Sequence, residues 1–154
     1  MKRLFIIALL SLIGSTVYGQ DYKTAIGVRG TFVSGLTVKH FIKEDTALEG
    51  ILSFGRWGMN LTGLYEKHAR AFETEGLSWY YGAGAHLGTW NDDYPQLDER
   101  GEFVVIGIDG IIGLEYKIQE IPITFSADYK PQLNFTGYPG FWGYGGALSI
   151  RYTF

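Results

Sequence analysis

The residue types that could carry chemistry are scattered. His40, His68 and His86 lie on three separate segments without a metal-ligand spacing, and no cysteine is available to assist them. Ser78 or Ser126 with His86 and Asp128 supplies the residue types of a Ser–His–acid hydrolase. Neither serine sits in a nucleophile-elbow motif. Gly82-Ala83-Gly84-Ala85-His86-Leu87-Gly88 has the glycine content of a phosphate loop, but no helix follows to present a positive N-terminus. Asn91, Asp92, Asp93, Asp98, Glu99 and Glu102 offer hard oxygen ligands of the kind Ca²⁺ takes, without the spacing or the glycine of an EF-hand loop. Asn60-Leu61-Thr62 and Asn134-Phe135-Thr136 match the glycosylation acceptor pattern, a frequent chance match. No residue is assigned a catalytic, cofactor-binding or metal-binding role on this basis.

Composition bounds what surrounds these residues. The chain has 154 residues, enough for one domain. The absence of cysteine excludes a disulfide framework and lipid attachment through a thiol. Thirteen basic against sixteen acidic residues argue against nucleic acid as a partner. Glycine is about twice its ordinary abundance. Lys2 and Arg3 precede an apolar stretch from Leu4 to Ile13, and Val17 and Gly19 then suit cleavage before Gln20. Residues 1–19 therefore read as a signal peptide and 20–154 as a single mature domain. The apolar stretch is too short to span a bilayer, which takes about 20 apolar residues.

The mature domain alternates apolar and polar residues with the period of a β-strand almost throughout. The runs are roughly Tyr22–Thr31, Leu36–Ile42, Thr46–Phe54, Met59–His68, Leu77–Gly88, Val104–Lys117, Ile121–Lys130 and Gly143–Phe154. One face is apolar with aromatics near the strand ends. The other carries glycines and the charged residues Arg29, Lys39, Glu49, Glu66, Asp109, Glu115, Asp128, Lys130 and Arg151. A soluble barrel would bury the apolar face, whereas a membrane barrel turns it to lipid and encloses the polar one. Tyr and Trp at strand ends, glycines on the charged face and scarce lysine favour the membrane barrel. A soluble, lipocalin-like barrel holding a small apolar ligand is the alternative.

Leu148-Ser149-Ile150-Arg151-Tyr152-Thr153-Phe154 resembles the C-terminal strand of bacterial outer-membrane β-barrels, which ends on phenylalanine with apolar residues at alternate positions before it. The mature length resembles the small eight-stranded barrels of the OmpA/OmpX class without an appended periplasmic domain. The resemblance implies an all-β, antiparallel up-and-down transmembrane barrel in the bacterial outer membrane, surrounded by lipid and lipopolysaccharide. It also implies that the outer-membrane assembly machinery reads Leu148, Ile150, Tyr152 and Phe154. The expected product is a monomeric, non-enzymatic barrel, with a structural, adhesive or surface-binding role carried by outside loops at Thr89–Phe103 and Pro131–Trp142. Ala69–Gly76 is longer than a typical periplasmic turn and leaves the pairing of the fourth and fifth strands open.

Turn geometry sets partners inside such a barrel. A turn centred on Glu44 puts Lys39 opposite Glu49, and a tight Gln119-Glu120 turn puts Asp109 opposite Lys130. Glu49→Ala is therefore expected to destabilise more than Lys39→Ala and Glu49→Ala together, because it leaves the Lys39 charge uncompensated. Eight strands leave an interior that side chains fill, so the expectation is a plugged barrel and not a pore.

Overall fold

The computed structural model describes residues 22–30, 34–55, 58–72, 74–91, 102–137, 139–143 and 145–154. Residues 1–19, read from the sequence as a signal peptide, and the acidic positions Asp92, Asp93, Asp98 and Glu99 lie outside the described residues. The strands are β1 (Thr24–Gly30), β2 (Ser34–Lys43), β3 (Thr46–Gly55), β4 (Gly58–Arg70), β5 (Leu77–Asn91), β6 (Glu102–Lys117), β7 (Ile123–Tyr129), β8 (Gln132–Asn134), β9 (Gly140–Trp142) and β10 (Gly146–Thr153).

These ten strands make eight staves, because β7 and β8 both pair with β6 and form one stave, while β9 and β10 form the next. Pro131 marks the break between β7 and β8, since it cannot donate to a ladder. Pairing nevertheless continues across it, with the Gly110 N–H donating to the Pro131 carbonyl at 3.0 Å and the Lys130 N–H to the Gly145 carbonyl at 2.9 Å. All neighbours are antiparallel, and β1 pairs with β10 from Ala25↔Thr153 to Gly30↔Leu148. Reciprocal bonds between Thr24 and Phe154 extend that seam by one more pair. The sheet is thus a closed, all-β, eight-stave antiparallel barrel.

Strand pairing of β4 with β5 is continuous from Gly58↔Trp90 to Arg70↔Ser78. The long connection between them is stitched by the Ala71 N–H to the Leu77 carbonyl (2.9 Å), with Phe72 and Gly76 at positive φ. Two sequence expectations change. Pro131–Trp142 is largely a hairpin of β8 and β9, which continues the wall beyond the break. The Thr136 hydroxyl extends this wall, accepting from the Ile106 N–H and donating to the Val104 carbonyl, each at 2.9 Å. The first β6–β7 pairs are Lys117↔Thr124 and Tyr116↔Phe125, so the turn spans 118–122 and Asp109 faces Gln132, two residues from the expected Lys130.

The polarity of the wall is inverted relative to a water-soluble core. Among the described residues, seventeen buried residues are polar or charged and eight are hydrophobic, whereas thirty large hydrophobics are exposed. A band of Val28, Leu36, Leu61, Leu87, Ile108 and Leu148 faces outward.

Inward glycines permit this narrow closure. A Cβ on Gly84 would overlap the Gly63 carbonyl and lie 2.9 Å from Leu64 Cα, both rigid backbone of β4. A Cβ on outward Gly63 would meet nothing within 4 Å. Gly84→Ala should therefore lower stability by about 1–3 kcal/mol through strand displacement. Gly63→Ala should be neutral or stabilising by about 0.4–1 kcal/mol, because it restricts the unfolded chain. Urea unfolding of each folded variant, followed by gel mobility, measures the difference.

Candidate functional site

The site is the barrel interior. All nine charged residues assigned to the inward face point into it, with Lys130 only partly covered and the other eight buried. They form three groups.

The central group is built on Lys39 and Arg151. Lys39, opposite Glu49 on β3, places its Nζ 3.3 Å from Glu49, 2.9 Å from Glu66 and 3.5 Å from Glu115. Its ammonium also sits 4.0 Å above the centre of the Tyr80 ring, a favourable cation–π position. Arg151 reaches across the lumen from β10, with Nη2 2.6 Å from Glu49 and Nη1 3.4 Å from Glu115. Arg151 also donates to Ser126 at 2.7 Å and to Thr37 at 3.3 Å. Thr37 in turn donates to Glu49. Three carboxylates therefore share two cations, all with side chains no more than 3% exposed. Burying such charges is costly unless each is compensated, and here every one has an opposite charge within reach.

Tyr22, just before β1, caps this group by donating to Glu115. Burial, followed in size by the adjacent Glu115 charge, holds its phenol well above the usual range, so it stays a donor. The second group is Arg29 with Asp128, a two-pronged guanidinium–carboxylate pair to which the Tyr80 hydroxyl also donates at 3.1 Å. The third is Asp109, 2.6 Å from Lys130 and 2.7 Å from His86 Nδ1. The register offset leaves Asp109 and Lys130 on the same face, where a lysine reaches its diagonal neighbour. Ile51, Leu64, Tyr80 and Ile111 form a small apolar cluster in the same interior.

Alternation along the fifth run already turns Tyr80 and His86 inward, with His86 as an interior hydrogen-bonding group, and both are buried there. Tyr80 faces Gly113 and His86 faces Gly107 across the β5–β6 ladder. A Cβ at Gly113 would lie 2.7 Å from Tyr80 Cζ, and one at Gly107 would lie 2.5 Å from His86 Cε1. Each ring occupies the space its facing glycine leaves open. Elsewhere, His40 receives or shares a hydrogen bond with Thr24 at 2.8 Å, and His68 meets Glu66 at 3.1 Å. The serine–histidine–acid set does not converge: Ser126 bonds Arg151, His86 bonds Asp109, and Asp128 bonds Arg29 and Tyr80. Leu148, Ile150 and Tyr152 of the C-terminal strand point outward, and the Phe154 ring lies 6.2 Å from that of Tyr152.

The shared cations revise the ordering expected for an isolated Lys39–Glu49 pair. Lys39→Met leaves Glu66 without a cation and Glu49 and Glu115 with Arg151 alone, and should cost about 3–5 kcal/mol. Glu49→Gln leaves Lys39 and Arg151 still compensated by Glu115, and Lys39 by Glu66 as well, so it should cost less than Lys39→Met. The double variant should fall between the two. Urea-unfolding midpoints of the three variants in detergent check the order.

No protein-family model and no curated protein sequence matches this chain. A solved structure does: the N-terminal β-barrel domain of Pseudomonas aeruginosa OprF superposes with a TM-score of 0.66 at 18% identity, covering 88% of this chain and 99% of that one. With so little sequence in common, the likeness is one of fold: this chain folds as that barrel domain does.

Proposed function

We propose that this chain is an outer-membrane β-barrel protein, exported through its N-terminal segment and folded into lipid as a monomer, with a non-enzymatic structural, adhesive or surface-binding role. The observation that carries the reading is the inverted wall: an apolar outer band around an interior of paired charges. In water this surface would expose thirty large hydrophobics among the described residues, most of them in the band, far beyond the patch a soluble monomer tolerates. In hydrocarbon it is the favourable surface, and barrel closure satisfies the backbone. A lipocalin-like carrier needs an apolar lumen, and this lumen is filled with ion pairs. The likeness to the OprF barrel domain supports the same location.

The surface-binding element is the end of the barrel opposite the termini. There the β8–β9 hairpin stands on the wall with Phe135 at 55% and Phe141 at 70% exposure. Aromatic, solvent-accessible loop ends on a rigid wall suit recognition of other surfaces. Lipid and lipopolysaccharide are the surrounding partners. The assembly machinery reads Leu148, Ile150, Tyr152 and Phe154, the last of which also closes the seam.

Expressed in a Gram-negative host, the full chain should fractionate with outer membranes, require detergent and change gel mobility on heating. Release with soluble periplasmic protein contradicts the reading. Deleting Phe154 removes its reciprocal bonds to Thr24 and its ring, and should lower the folded outer-membrane yield several-fold while precursor synthesis is unchanged. Because ion pairs fill the lumen, purified protein in planar bilayers should show negligible conductance. A steady ion-selective current would reopen a transport function.

A further inference from the structure

At the end of the barrel that carries both termini, the mouth of the lumen is a cavity of about 740 Å³, within the range of small-molecule sites. Four cations, Lys23, Lys43, Arg70 and Lys117, line it against two rim carboxylates, Glu44 and Glu75. The third lining carboxylate, Glu115, is turned inward and held by Tyr22, Lys39 and Arg151. The mouth is therefore cationic in a chain that is acidic as a whole. Its cations are also available. Lys117 rests on the Ile118 and Ile121 carbonyls at 3.1 and 3.5 Å, and Lys23, Lys43 and Arg70 form no ion pair among the described residues. Lys67, on the same end, is by contrast taken by Asp45 at 3.0 Å.

The floor is specific as well. Tyr22 and Phe41 make an edge-to-face wall with ring centres 5.1 Å apart, and Phe41 packs 4.8 Å from His68. The His68 imidazole is 6% exposed, with Nε2 3.1 Å from Glu66. Its buried Nδ1 has no hydrogen-bond partner among the described residues. That atom is closed to solvent between Phe41 and Tyr80, so the ring serves as part of the floor and does not bond a ligand. We infer that this mouth is a binding site for a small soluble oxyanion carried on a short carbon chain. A carboxylate or phosphate head meets the rim cations, and the carbon chain lies on Tyr22 and Phe41. The site is independent of the surface role at the opposite end, and it requires only the folded barrel.

The test is titration of the full chain, folded in micelles, with glycerol 3-phosphate, glycerate, inorganic phosphate and glycerol, followed by amide shifts. The two hydroxylated anions should saturate shifts around Arg70, Gly76 and Lys117, and should bind more tightly than phosphate or glycerol. Lys43→Gln with Arg70→Gln should weaken them by about tenfold or more, as loss of charge-assisted bonds requires. Lys67→Gln, on a lysine already committed to Asp45, should leave affinity unchanged. All these side chains are on the rim, so heat-modifiable mobility should persist and separate lost binding from lost folding. Shifts that fail to saturate, glycerol binding as tightly as glycerol 3-phosphate, or indifference to the Lys43/Arg70 double variant would each overturn the site.

Discussion

The hydrogen bonds that join β1 to β10 are the constraint on which everything else rests. Without that seam the sheet would have two edges, each presenting a row of unpaired N–H and C=O groups. In hydrocarbon every such group costs several kcal/mol, so the seam turns an open sheet into a wall that lipid can surround. It runs from Ala25↔Thr153 to Gly30↔Leu148, and the Thr24–Phe154 bonds complete it at the last residue. The residue proposed to be read during assembly is thus also the residue that finishes the ring.

Closing eight staves leaves a narrow lumen, and the narrowness dictates its chemistry. Alternation sends every second side chain inward, so one inward face is shared by eight strands. Glycine must then occupy positions such as Gly84, Gly107 and Gly113, where a neighbouring backbone or ring already fills the space. Charges that point inward cannot reach bulk water and must find one another. Lys39 and Arg151 do so by each serving more than one carboxylate, which makes the central group a network and not a set of pairs. The same crowding that plugs the lumen relaxes at the termini end, where the mouth leaves a cavity.

Most of the wall was legible from period-2 alternation, because one register error would turn a whole strand inside out. Lys39 opposite Glu49 was legible for a second reason: a short turn fixes the count on both arms, despite a bulge between Phe41 and Lys43. Asp109 opposite Lys130 was not, because the turn around Pro122 is longer than two residues. The β8–β9 hairpin was hidden by its own punctuation. Pro131, Gly137, Pro139 and Gly140 read as loop, and three-residue strands are too short to show a period. The contacts of Lys39 with Glu66 and Glu115, and of Arg151 with Glu49, join staves that are not neighbours in the sheet. No spacing along the chain encodes them; they follow from the diameter of the closed barrel.

The central claim is that one face of each stave meets hydrocarbon and the other meets a dry, paired interior. Spin labels placed singly at positions 147 to 153 of β10, in the protein reconstituted into vesicles, test it most directly through their accessibility to oxygen and to a water-soluble relaxation agent. The account predicts high oxygen accessibility at Leu148, Ile150 and Tyr152, and low accessibility to both agents at Ala147, Ser149, Arg151 and Thr153. The opposite phase, or strong exposure of Leu148, Ile150 and Tyr152 to the water-soluble agent, would contradict it.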